Sequence, residues 1–292
     1  MKITAQTRIT GVVGNPVRHS LSPIIHNAWI EAGGLDAVYL AFEPPKERFR
    51  QFIDGLRGKT VVGLNVTIPF KEEALELADE VGEDARLAGA ANTLVFREDG
   101  GILAFNTDGD GLGLALREAG AHFKRPVISY TVPPIPTADH AVVLGAGGAA
   151  KGAVAMLAAA SVGRIDVINR DRRRAEEIAS SRPEVIVRGW DDTAAALAGA
   201  DLLINATSLG MIGQPPLELD LEALPQTAIV MDMVYRPLET RLLREARARG
   251  NRTNDGLSML IEQANLAFFS FFGRAPQDTV DVRGLCEAAL RE

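Results

Sequence analysis

A single cysteine, Cys286, excludes an internal disulfide and any cysteine-based metal cluster, and such sparing use suits a reducing cytoplasm. Histidine is almost as scarce. His19 and His26 are the only two in residues 1–107, and neither has a companion at metal-ligand spacing, so no metal is expected. Excess positive charge is also missing: a net charge of −7 argues against a general nucleic-acid surface, which needs clustered Lys and Arg. The most apolar windows, 153–160 and 266–272, fall well short of the about 20 residues that cross a bilayer. Residues 1–7 lack the apolar stretch and cleavage site of a secretory signal. A soluble, cytoplasmic chain with no membrane or nucleic-acid partner is therefore expected.

What is present is ordinary globular composition, 47% hydrophobic and 24% charged, in a chain long enough for two domains. From residue 7 to 105, short β-branched runs alternate with helical patterns, which implies an α/β domain with a mixed sheet. A proline-rich stretch, 125–140, reads as a surface loop. After it a second, more regular βα series implies a doubly wound parallel sheet of Rossmann type. Two helices near 258–272 and 280–290, with no strand between them, close the chain. The expected division is a substrate domain of residues 1–107 and 257–292 and a dinucleotide domain of residues 108–256.

A dinucleotide site needs a strand, a tight turn that lets backbone approach the pyrophosphate, and a helix whose N-terminus faces the anion. Residues 142–144 supply the strand, and Gly145-Ala146-Gly147-Gly148-Ala149-Ala150 supplies the turn and helix start. About 20 residues on, where the adenosine ribose is read, stand Asn169-Arg170-Asp171-Arg172-Arg173-Arg174. A guanidinium there can grip a 2′-phosphate. Arg170 and Arg174 thus favour NADP, whereas the Asp171 carboxylate could serve a ribose hydroxyl and leaves NAD open.

Three polar clusters occupy strand-to-helix junctions of the first half. In the first, residues 14–23, Ser22 before Pro23 reads equally as a helix N-cap and as a ligand contact; Ser20 has no such structural reading. The second, residues 65–73, puts Lys71 in a first helical turn, where the helix dipole disfavours a cation. That unfavourable placement suggests a proton carrier. The third contains Asn92 and Asp108, and Asp108 stands at the junction of the two domains.

Taken together in order, these segments resemble the shikimate dehydrogenase family, within the shikimate/quinate dehydrogenases. Further motifs carry the resemblance: Asn205-Ala206-Thr207-Ser208, residues 232–237, and Asp255-Gly256-Leu257-Ser258-Met259-Leu260 with Gln263. The resemblance implies reversible, NADPH-dependent reduction of 3-dehydroshikimate to shikimate in aromatic amino acid biosynthesis. It implies that Ser20 and Ser22 bind the substrate carboxylate, and that Thr67, Lys71, Asn92, Asp108 and Gln263 surround the hydroxyls. Lys71 and Asp108 would be the catalytic pair. Gly145, Ala146, Gly147, Gly148 and Ala149 would cradle the pyrophosphate, with Asn169, Arg170 and Arg174 at the 2′-phosphate. Thr207, Ser208, Met233, Tyr235 and Gly256 would lie along the nicotinamide, and Tyr235 would also touch substrate. The family usually carries Thr where this chain has Asp171. A quinate/shikimate dehydrogenase able to use NAD is the alternative, and either a monomer or a homodimer is compatible with the sequence.

Overall fold

The structure, a computed structural model, describes residues 3–58, 60–122 and 138–291. The proline-rich stretch lies outside the described residues as far as 137; His140, read as part of that loop, instead opens a strand. The described chain forms two compact units, residues 1–107 with 263–292 and residues 108–262.

The first unit begins with β1 (Arg8–Val13), α1 (Ser22–Ala32), β2 (Ala37–Phe42), α2 (Phe49–Asp54), β3 (Val61–Val66) and α3 (Lys71–Glu76). It continues with β4 (Glu80–Val81), α4 (Glu83–Ala88), β5 (Thr93–Phe96) and β6 (Ile102–Phe105). These strands form a sheet in the order β2-β1-β3-β5-β6-β4. The sheet is mixed: β1 pairs in parallel with β2 and β3, and β5 pairs antiparallel with β3 and β6. One face is sealed by Val13, Leu64, Val66 and Leu94 against Phe49, Phe70 and Ala74, with Phe49 and Phe70 stacked 4.2 Å apart. That stack anchors the start of α3, and with it Lys71.

The second unit opens with α5 (Asp108–Glu118), β7 (His140–Leu144), α6 (Gly148–Ala159), β8 (Arg164–Ile168), α7 (Arg172–Ala179) and β9 (Val185–Arg188). α8 (Thr193–Leu197), β10 (Leu202–Asn205), β11 (Ile229–Asp232), α9 (Arg241–Ala248) and β12 (Arg252–Asp255) follow. Its sheet runs β12-β11-β10-β7-β8-β9, parallel throughout. This is the doubly wound arrangement that the βα alternation implies. Alternation along the strands divides the core: Ala141 and Val143 face α5, α6 and α7, while Val142 and Leu144 face α8 and α9. The strand order reverses between β7 and β10, so ligands of such sheets bind beyond the ends of those two strands. Buried Asp166 on β8 accepts from Arg164 (2.7 Å) and Arg188 (2.9 Å) and meets His140 at 2.7 Å, tying β7, β8 and β9.

α10 (Gly256–Phe272) and α11 (Val282–Arg291) end the chain, and the unit boundary falls within α10. α10 starts two residues earlier than the sequence pattern implied, because the Asp255 carboxylate accepts from the N–H groups of Leu257 (3.0 Å) and Ser258 (3.2 Å). Among the described residues, no helix is long and apolar enough to cross a membrane.

Candidate active site

At the C-terminal ends of β1 and β3 and the N-terminal end of antiparallel β5, the first unit assembles most of the residues expected around a substrate. The Thr67 N–H donates to the Val13 carbonyl (2.9 Å), holding half-buried Thr67 against the loop after β1. In that loop Ser22 does not act as the N-cap of α1. Leu21 holds that position, and its carbonyl accepts from Ile24 and Ile25, so the helix already includes Ser22. No side chain caps α1 at Leu21, and the Ser20 hydroxyl, one residue earlier, accepts from the Ser22 N–H at 3.3 Å. The buried Ser22 hydroxyl is left to meet Tyr39.

From Tyr39 a hydrogen-bonded chain crosses the sheet. The Tyr39 hydroxyl donates to Asn65 Oδ1 (2.8 Å), and Asn65 Nδ2 donates to Thr93 Oγ (3.1 Å). Thr93 in turn donates to Asn92 Oδ1 (2.9 Å). Asn92 Oδ1 also accepts from the Thr107 N–H (2.8 Å), while Asn92 Nδ2 donates to Gln263 Oε1 (3.4 Å). Ser22, Asn92 and Gln263 are thus linked through Tyr39, Asn65 and Thr93, which the sequence reading did not single out as site residues. Their one sequence signal is Asn65 and Thr93, polar residues in otherwise apolar strands. Burial pushes the Tyr39 hydroxyl well above the ordinary tyrosine range, against the opposing hydrogen bond with Ser22. It also drives His26 down to about 3, so this imidazole is neutral; it stacks on Tyr39 at 4.1 Å with no hydrogen-bond partner among the described residues. Tyr39→Phe keeps that stack but orphans Asn65 Oδ1. It is expected to lower stability by about 1–3 kcal/mol in urea unfolding, and an unchanged midpoint and slope would remove Tyr39 from the network.

Lys71 is the half-buried first residue of α3. Its carbonyl accepts from the Ala91 N–H at 2.8 Å, which fixes the lysine backbone to the segment that presents Asn92. Asp108 is the first residue of α5, one position after Thr107, and belongs to the second unit.

In the second unit the glycine turn joins β7 to α6. Gly145 has φ +107°, and a Cβ there would lie 3.1 Å from the Ala206 carbonyl and from Thr207 Cγ2. This position therefore needs glycine for the fold itself. Gly147 and Gly148 differ: a Cβ on either would meet nothing within 4 Å. Gly147 caps α6 without a side chain, so the first N–H groups of the helix have no side-chain cap, and Gly147 and Gly148 are exposed. An anion such as a pyrophosphate fits that cradle. Ala149 is exposed there, while Ala146 and Ala150 are buried against the sheet.

At the end of β8, Asn169 Nδ2 donates to the Asp171 carbonyl (2.8 Å). Asp171 caps α7: its Oδ1 accepts from the Arg173 N–H at 3.1 Å, and its Oδ2 lies 4.0 Å from Arg174 Nε. The carboxylate that left NAD open is thus engaged by its own helix. Arg170 is exposed beside it.

Across the switch point, Thr207 donates from its N–H (3.1 Å) and its hydroxyl (2.7 Å) to Asn205 Oδ1, with exposed Ser208 next in the chain. Met233 N–H donates to the Asn205 carbonyl (3.0 Å), with half-buried Tyr235 two residues on. Gly256 packs so closely on the Met233 carbonyl that a Cβ would clash. Close by in sequence, burial together with the charge and hydrogen bond of Glu118 pushes Glu262 up to about 7. Ser20, Ser22, Thr67, Lys71, Asn92 and Gln263 therefore gather in the first unit, and Asp108, Tyr235 and every residue expected at the cofactor in the second.

Comparison with known proteins agrees with this geometry. The family model for the shikimate dehydrogenase substrate binding domain matches residues 12–94, and that for shikimate / quinate 5-dehydrogenase matches residues 135–212. The chain is 50% identical to the shikimate dehydrogenase (NADP(+)) of Caulobacter vibrioides over 99% of its own length and 98% of that protein. To the shikimate dehydrogenase (NADP(+)) of Dinoroseobacter shibae it is 43% identical over 97% and 98%. Among solved structures, the shikimate 5-dehydrogenase of Thermus thermophilus, in complex with NADP(H) and shikimate, superposes with a TM-score of 0.81 at 35% identity, covering 97% of this chain and 99% of that one. A quinate dehydrogenase from Corynebacterium glutamicum in complex with NAD superposes with a TM-score of 0.84 at 31% identity, covering 98% and 99%.

Proposed function

The chain belongs to the shikimate dehydrogenase family, and from that premise we propose which of its residues carry the reaction. It is an NADP-dependent oxidoreductase acting on a secondary alcohol, and it interconverts 3-dehydroshikimate and shikimate in aromatic amino acid biosynthesis. Accepting or delivering the hydride is the chemistry that NADP supplies when bound. The chain's own residues bind, orient and move the proton.

In this reading residues 1–107 and 257–292 bind substrate, and residues 108–256 bind NADP. Ser20 and Ser22 hold the carboxylate; Thr67, Asn92 and Gln263, with Tyr235, hold the ring hydroxyls. Lys71 and Asp108 form the pair that takes the alcohol proton as the hydride leaves. Gly145, Ala146, Gly147, Gly148 and Ala149 receive the pyrophosphate, and Asn169, Arg170 and Arg174 the 2′-phosphate. Thr207, Ser208, Met233 and Gly256 face the nicotinamide. The observation that carries the substrate assignment is the buried chain from Ser22 through Tyr39, Asn65 and Thr93 to Asn92 and Gln263. Such a chain fixes donors and acceptors in place before a polyhydroxylated ring arrives. The sole cysteine, buried and pushed up to about 11 by burial, fits a reducing cytoplasm, and we assign the enzyme there as a monomer or homodimer.

The NAD-using quinate/shikimate dehydrogenase is the second reading, and its motivating residue is Asp171. Engagement of that carboxylate by Arg173 and Arg174 weighs against it. A two-by-two assay of shikimate or quinate with NADP⁺ or NAD⁺ separates the two. Shikimate with NADP⁺ is expected to give the highest kcat/KM; no turnover in any of the four combinations would overturn the assignment.

A further inference from the structure

We propose that Asp232 is a positioning residue: without touching the cofactor, it sets both loops that flank the nicotinamide and so governs how firmly that half of NADP is held. The proposal rests on assigning Thr207, Ser208, Met233 and Tyr235 to the nicotinamide. Asp232 ends β11 and pairs in register with Asn205, which ends β10. Its side chain is fully buried, so its influence can only be indirect. Oδ1 accepts from Asn205 Nδ2 (2.9 Å) and from the Val234 N–H (3.0 Å), and Oδ2 accepts from the Thr240 hydroxyl (2.7 Å).

Each of these bonds reaches a different segment. Asn205, oriented by Asp232, uses its own Oδ1 to hold the N–H and hydroxyl of Thr207. Thr207 Oγ then accepts from the Leu209 N–H (3.1 Å), closing the turn that carries Ser208. Val234 lies between Met233 and Tyr235, so its bond fixes the second loop directly. Thr240 caps α9 by accepting from the Leu243 N–H (3.3 Å), leaving its proton for Asp232. Every partner donates and Asp232 only accepts, as an ionised carboxylate does. Burial raises its pKa, and the three hydrogen bonds oppose the rise. A carboxylate buried with no Lys or Arg beside it among the described residues is a costly way to end a strand. Joining two loops and a helix cap at the sheet's switch point accounts for it.

The test is isothermal titration of the full chain with NADP⁺ and with adenosine 2′,5′-bisphosphate, which carries the adenosine and 2′-phosphate but no nicotinamide. Asp232→Ala is expected to weaken NADP⁺ by about tenfold or more, the scale of one lost hydrogen bond to a charged group, and to leave the bisphosphate within about twofold. Asp232→Asn, which keeps the shape and part of the bonding, should recover most of the NADP⁺ affinity. Equal weakening of both ligands, or of neither, would overturn the proposal. If Asp232→Ala does not fold, Asp232→Asn decides alone, with a selective loss of about threefold expected, the scale of weakening rather than deleting such a bond. Met233→Ala in an otherwise unchanged chain tests the underlying assignment. Should it leave NADP⁺ affinity intact, the nicotinamide lies elsewhere and the reading itself fails, whatever Asp232 does.

Discussion

Lys71→Met is expected to lower kcat for shikimate oxidation by about 10²–10⁴-fold, the range that a positioned proton carrier contributes. Methionine retains most of the side chain's length and apolar stem while removing the ammonium. Lys71 is only half-buried, and the contact that seats its backbone, its carbonyl with the Ala91 N–H, survives the substitution. At the first turn of α3 a cation is disfavoured by the helix dipole, so removing the charge relieves that repulsion. NADP⁺ affinity, measured by direct titration, should stay within about threefold, well under the 1.4 kcal/mol that a tenfold change requires. Asp108→Asn should lower kcat similarly. If the two act as one unit, the double variant will fall little further than either alone. A Lys71→Met enzyme that keeps kcat within about tenfold of the parent, short of the expected range, would move the proton to another group.

The glycine turn, the βα alternation and the polar strand ends were legible because each is local: strand, turn and helix lie within a dozen residues, and their geometry follows from residue type. The readings that sequence leaves open are local too. Ser22 before Pro23 carries the same signal whether the serine caps the helix or already belongs to it, and only the Leu21 hydrogen bonds decide. Residues 190–197, a 3-10 turn (Trp190–Asp192) leading into α8 with Asp192 at its N-cap, drew no reading because the alanine-rich segment is too short to show a period. Residues 46–54 are likewise a 3-10 turn (Lys46–Arg48) running directly into α2. The deeper gap is long-range. Tyr39, Asn65 and Gln263 lie on three separate elements and Asn92 in the bend before β5, and no spacing rule connects residue 39 to residue 263. Likewise Asp171 looked like a ribose ligand from its place at a strand end, yet the N–H groups that follow it make it a helix cap. Charge at a position is visible in sequence; the partner that consumes it is not.

Gly147→Val should separate the turn's two duties, fold and ligand binding. The backbone at Gly147 is extended, φ −85° and ψ −172°, a conformation that suits a β-branched residue. A Cβ there has no neighbour within 4 Å, so thermal stability should not fall. Gly145→Ala, by contrast, puts a Cβ at φ +107° and 3.1 Å from the Ala206 carbonyl, and should lower the melting temperature by itself. For binding the order reverses. The first hydrogen bond within α6 runs from the Lys151 N–H to the Gly147 carbonyl (2.9 Å), which leaves the preceding N–H groups for the pyrophosphate. A valine side chain on Gly147 stands in that approach. Hydrogen bonds to a charged group are worth about 1.5–3 kcal/mol each. Losing two weakens NADP⁺ by about 10²–10⁴-fold, read by titration against an unchanged melting curve. A Gly147→Val enzyme that binds NADP⁺ within about threefold of the parent, far short of even one such bond, would place the pyrophosphate away from the α6 N-terminus. A smaller loss is expected for adenosine 2′,5′-bisphosphate, because that ligand keeps only the adenosine-side phosphate of the pyrophosphate. The same pair of ligands therefore tests three proposed parts of the site: the 2′-phosphate assigned to Arg170, the pyrophosphate assigned to Gly147 and the nicotinamide loops assigned to Asp232.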